Sequence, residues 1–141
     1  MSISYYNSEH YPDPTAYHAL RNIQREEFRK AHPHRPLVYI CSPFGGDEQN
    51  AESARRYCRF AVTQETIPLA PHLHYPQFMD DSDPVQRKTG LWFALVLLCK
   101  TDELWVFGER ITAGMKREIL QAHARGLPIK LFTSDCEVRT S

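Results

Sequence analysis

The sequence predicts a small three-layer α/β protein of the Rossmann or flavodoxin type, with a mostly parallel four-stranded sheet and an added N-terminal helix. Three observations carry this expectation. The runs "LVYICS" (37–42), "ELWVFG" (103–108) and "PIKLF" (128–132) are mostly unbroken apolar stretches rather than alternating ones, as in strands buried on both faces of a parallel sheet. Helical segments lie between them, and such alternation implies crossover connections that cover both faces of the sheet. A chain of 141 residues, 42% of them apolar, is long enough to bury one sizeable core.

Residues 1–35 read as an N-terminal extension, 36–135 as the α/β domain and 136–141 as a frayed tail. The first twelve residues look irregular. A helix is expected over 13–31, with Asp13 as N-cap, Pro14 at the first helical position and an apolar stripe of Ala16, Leu20, Ile23 and Phe28. That stripe suits packing on the main domain or on a second subunit. "HPHRP" (32–36) breaks the helix.

After the first strand, the turn "PFGGDEQN" leads to a helix over 51–65, and "TIPLAP" reads as a shorter strand. A polar loop is expected over 72–84. The next helix ends near Cys99, and its run "GLWFALVLLC" (90–99) is too short to span a bilayer and reads as buried. The third strand, a helix over 113–125 and the fourth strand complete the pattern.

Lysine plus arginine balances aspartate plus glutamate at 17 each, so the formal net charge is zero. A general nucleic-acid binder normally carries a basic excess, and none is expected as a partner. Near-zero charge favours self-association, and a homo-oligomer is expected. The four cysteines form no CxxC pair and suit a reducing, cytoplasmic setting. No signal-type apolar stretch opens the chain, and no membrane or cofactor is expected as a partner.

In sheets of this type ligands bind beyond the carboxyl ends of the strands, where strand order reverses. Three loops at those ends concentrate unusual residues. In "GERITAGMKRE" the strand ends at Gly108, Arg110 follows, and Thr112 suits an N-cap above a turn whose free N–H groups attract anions. Gly114 leaves room for a ligand close to the backbone. Glu118 lies one turn further on, beside the inward stripe of Met115, Ile119 and Ala122, with Lys116, Arg117 and Gln121 on the wet side. A carboxylate on that stripe is costly unless partnered, which suggests a site. Two plainer readings stand beside it: a glutamate favoured by the helix dipole, or one paired with a neighbouring arginine.

In "YICSPFGGD", Ser42, Phe44, Gly45 and Gly46 could wrap an anionic or sugar group, or form only a plain strand-to-helix turn. Neither a Walker loop nor a GxGxxG fingerprint is present. In "PHLHYPQFMDDSDP", His72, Asp80 and Asp81 read as a polar pocket wall. His72 and His74 lack further ligands to complete a zinc set, so no metal is expected.

With those residues in view, "VYICSPFGG", "DELWVFG" and "TAGMKRE" resemble the nucleoside 2-deoxyribosyltransferase-like superfamily. "YICSP", "PHLHYPQFMDD" and "DELWVFG" resemble more closely a group of uncharacterised phage and mobile-element proteins, over about residues 36–132. The resemblance implies a small-molecule nucleotide ligand and a glutamate nucleophile at Glu118 that would attack the anomeric carbon. It implies that Tyr39 orients that carboxylate, that Thr112 takes the place of a phosphate-holding serine, and that Ser42, Gly45 and Gly46 share the phosphate cradle. It also implies a pocket that a neighbouring subunit often completes. One position departs from the pattern. Where the enzymes carry an aspartate, eight residues before Asp102, this chain has Ala94. The expected function is therefore nucleotide binding, such as sequestration of a nucleotide immune signal by a phage protein. The alternative is cleavage or transfer at an N-glycosidic bond through Glu118.

Overall fold

The computed structural model describes residues 14–140. The irregular stretch expected over 1–12 and the cap expected at Asp13 lie outside the described residues. The chain divides between His34 and Arg35 into two compact units. The first contains α1 (Pro14–Ala31), which buries none of its residues. Leu20, Ile23 and Phe28 of its apolar stripe are all exposed. At its end the Phe28 ring stacks on His32 at 4.0 Å, and the His32 N–H donates to the Phe28 carbonyl.

In the second unit the chain runs through β1 (Leu37–Cys41), α2 (Glu48–Thr63), β2 (Ile67–Leu69), α3 (Pro71–His74), a 3-10 turn (Tyr75–Gln77) and α4 (Pro84–Leu98). It continues through β3 (Glu103–Phe107), α5 (Ala113–Ala124) and β4 (Ile129–Phe132). The four strands form one sheet in the order β2-β1-β3-β4, and every pairing is parallel. From β1 the chain moves outward to β2, and from β3 it moves outward the other way to β4. The switch point therefore lies between β1 and β3.

Residue parity along the strands sorts the core into two layers. Val38, Ile40, Trp105, Phe107 and Phe132 meet Tyr57 and Ala61 of α2 on one face. There Phe107 stacks between Tyr57 and Phe132, with ring centroids at 4.3 and 4.9 Å. Tyr39, Cys41, Leu104 and Val106 meet Leu98 of α4 and Met115 and Ala122 of α5 on the other. Burial on both faces explains why the central strands β1 and β3 are apolar without alternation.

Four expectations are corrected. α2 starts at Glu48 rather than at residue 51, because the Asp47 carboxylate accepts from the Gln49 N–H at 2.8 Å and caps the helix earlier. The polar loop expected over 72–84 contains α3 and the 3-10 turn. The helix expected to be buried, α4, buries only Leu98 and leaves Trp92 63% and Val96 40% exposed. Its apolar residues run around the helix, while the sheet covers only one side.

The tail expected to fray turns back on β4 instead. Val138 bridges Phe132, and the Arg139 N–H donates to the Leu131 carbonyl at 2.8 Å.

Candidate functional site

A cavity of about 290 Å³ opens at the carboxyl ends of β1 and β3, between the first β-to-α turn, the α3 segment, α4 and α5. Each wall follows from a local feature. Gly45 and Gly46 adopt φ of 93° and 80°, which bends the chain away from the end of β1. The Asn50 side chain fixes that turn by donating to the Phe44 carbonyl at 2.8 Å. Pro71 opens α3 and sets His72 facing Ser42, with Nε2 and Oγ 3.2 Å apart and the Phe44 ring edge-on to the imidazole. Asp83 caps α4 by accepting from the Val85 N–H.

Thr112 caps α5, its hydroxyl accepting from the Met115 N–H at 3.2 Å while its carbonyl accepts from Lys116. The N–H groups of Ala113 and Gly114 are then left without a chain acceptor among the described residues, and both residues line the cavity.

Glu118 faces the cavity from the second turn of α5. Tyr39 and Cys41, on the same face of β1, lie close to its carboxyl group, and the Cys41 thiol donates to the Met115 carbonyl at 3.9 Å. One carboxyl oxygen, Oε2, is buried with no partner among the described residues. Burial raises the Glu118 pKa to about 7, although the neighbouring Tyr39 and Cys41 side chains and the Arg117 charge pull the other way. Burial and then the nearby Glu118 charge push the Tyr39 phenol and the Cys41 thiol far above their ordinary ranges. Both therefore keep their protons at neutral pH. Burial lowers His72 to about 4, so its ring is neutral. Asp80 is held below the usual carboxylate range by the Ser82 hydroxyl and N–H, which both donate to Oδ1.

Of the residues singled out in the sequence, Tyr39, Ser42, Phe44, Gly45, His72, Asp80, Asp81, Thr112, Gly114, Met115 and Glu118 line this cavity. Three do not. Gly46 shapes the turn without lining the cavity, and Arg110 is exposed elsewhere. Gly108 is buried at the end of β3, where its carbonyl accepts from Arg139 Nη1 at 2.9 Å. The last two lie outside because the chain needs Gly108 and its neighbours to turn from β3 into α5 before the helix reaches the cavity.

Sequence reasoning missed Cys41, Arg87 and Arg117. Cys41 was accessible from the two-residue period that puts it beside Tyr39. Arg87 was accessible from its helical spacing to Leu91 and Ala94, which line the same wall. Arg117, assigned to the wet side of its helix, is exposed but reaches the cavity rim. Ala94 also lines the cavity, so the position where the resemblance implies an acid is within the site.

A parallel sheet with its cavity at the switch point defines a small Rossmann or flavodoxin-like α/β protein. The chain belongs to the family described as Domain of unknown function (DUF7768), whose model matches residues 36–132. The fold is similar to that of a 2-deoxyribosyltransferase from the psychrotolerant bacterium Bacillus psychrosaccharolyticus, with TM-score 0.57 and 17% identity. That match covers 74% of this chain and 77% of the other. No curated protein sequence matches the chain.

Proposed function

We propose that the chain binds a ribose-phosphate nucleotide in this cavity and holds it without efficient cleavage. The observation that carries this reading is the unpartnered, buried Glu118 Oε2 in a cavity that also presents the free N–H groups of Ala113 and Gly114. A carboxyl group hydrogen-bonds a sugar hydroxyl in either protonation state, and helix N–H groups take phosphate oxygens. A nucleotide offers both within one molecule. A volume of about 290 Å³ is close to the lower end for small-ligand sites.

Retention is supported by the shortage of a second proton-handling group beside Glu118. Ala94 supplies none, and Asp80 is committed to Ser82 as an ionised acceptor. With a pKa of about 4, only about one His72 ring in a thousand is protonated at pH 7. In the phage and mobile-element setting that the motifs imply, such a protein withdraws a nucleotide immune signal, for example an ADP-ribose derivative, from solution. Mass spectrometry of heat-released ligand from the purified protein tests this. Recovery of a nucleotide is expected. Recovery of none, together with no binding to nucleosides, nucleotides or ADP-ribose species, overturns it.

The position of Tyr39 and Cys41 beside Glu118 favours a second reading, because both lessen the cost of ionising a nucleophile there. On this reading Glu118 cleaves an N-glycosidic bond, as a hydrolase or a deoxyribosyltransferase. Base release that disappears in Glu118→Ala is its signature.

Self-association belongs to the same proposal. Val85, Trp92 and Val96 follow one another along one exposed side of α4, and Leu91 joins that helix to the cavity wall. An exposed apolar surface of this kind marks a contact site, and a second copy seated there would border the cavity mouth.

A further inference from the structure

Arg87 and Arg117 approach the cavity from two different helices, α4 and α5. Both side chains are exposed, and neither forms an ion pair among the described residues. The arginines that do form ion pairs among the described residues, Arg55 and Arg59, answer acids on their own helix. Arg87 and Arg117 thus leave two planar donors at the rim that no acid among the described residues holds at ion-pair distance, although Glu118 feels the Arg117 charge.

Position along α4 sets their depth. Arg87, Leu91 and Ala94 form one inward stripe, and seven residues of helix place Arg87 roughly 10 Å along the axis from Ala94. The rim carries the charge and the inner wall is apolar. Asp80 and Asp81 also face this rim. The Asp80 carboxylate is occupied by Ser82. A cation is therefore a poorer match for the rim than a planar, multiply charged anion, which two arginine forks grip in two directions.

We infer that Arg87 and Arg117 form a second anion position, separate from the backbone N–H groups of α5, and that the ligand carries a phosphate or diphosphate at the cavity mouth. The inference rests on the nucleotide reading and narrows it. The sugar sits at Glu118, and a charged group extends outward between the two helices. A nucleoside leaves both arginines unused, whereas a nucleoside diphosphate engages them.

Calorimetric titration of the full chain with adenosine, AMP and ADP, in wild type, Arg87→Gln and Arg117→Gln, tests the assignment. Both side chains are exposed, and unchanged thermal unfolding checks that the variants remain folded. Each substitution is expected to weaken ADP by about tenfold or more and to leave adenosine within about twofold, with a shallower salt dependence. Equal losses for adenosine and ADP, or no loss for either, overturn the arginine pair while leaving nucleotide binding intact. If wild type binds none of the three, the nucleotide reading fails separately, and inorganic pyrophosphate becomes the probe. Pyrophosphate binding lost in both variants supports the pair, and no pyrophosphate binding by wild type overturns it.

Discussion

The Tyr39 phenol and the Glu118 carboxyl group both face the cavity, one from β1 and the other from α5, at the point where the strand order reverses. This arrangement sets a desolvated acid against the cavity and governs its titration. Desolvation disfavours the charged form more strongly than its polar neighbours favour it, so Glu118 keeps its proton to about pH 7.

A pH-dependent change in stability follows. The folded pKa lies above the ordinary value of 4.5, so between those values the folded state binds more protons than the unfolded one. Glu118 therefore opposes folding increasingly as pH rises from about 4.5 to about 7, and by a constant amount above that. Glu118→Gln should gain about 1 to 3 kcal/mol relative to wild type at pH 8 and little at pH 5. Urea unfolding at the two pH values measures the difference, and an equal effect at both would contradict the buried carboxyl.

Ala94 supplies a gain-of-function prediction for the catalytic reading. Ala94→Asp places an acid on the cavity wall at the position where the resemblance implies one. If Glu118 is a competent nucleophile that lacks only proton handling, base release should rise by about 10²-fold or more. Adding Glu118→Ala should abolish the gain. Chromatography of free base after incubation with nucleosides and nucleotides reads the result; no rise in any substrate counts against latent catalysis.

His72 should stay neutral through the physiological range. Its folded pKa of about 4 lies below the ordinary 6.5, so it contributes stability above pH 6.5 that is lost as pH falls toward 4. Ring-proton chemical shifts recorded between pH 3 and 8 should show no His72 titration above about pH 5. A midpoint near 6.5 would mean that the ring is not desolvated.

Trp92 tests the contact surface on α4. With 63% of the residue exposed, Trp92→Glu should cost the folded monomer little and disrupt any assembly that buries it. Light scattering coupled to size exclusion should report an oligomer for wild type and a smaller species for the variant. A monomeric wild type removes this part of the proposal.

The sequence alone determined the architecture, because a strand covered on both faces is mostly apolar and the chemistry of that requirement is local. "LVYIC" and "ELWVF" announced the two central strands, "TIPLAP" and "IKLF" the two edge strands, and Thr112 the cap of α5. The approach of Glu118 to the cavity was also legible, from its place on the apolar stripe of a helix. Tertiary structure decided the rest. Whether Arg87 and Arg117 share a cavity with Glu118, and whether Cys41 packs beneath it, depends on how α4 and α5 pack across the sheet, a relationship between residues far apart in the chain. Burial of α4 could not be read either, since an apolar helix looks the same whether both its sides are covered or one faces solvent. The pKa of Glu118 belongs to the same class, because desolvation is a property of the surrounding fold and not of the residue.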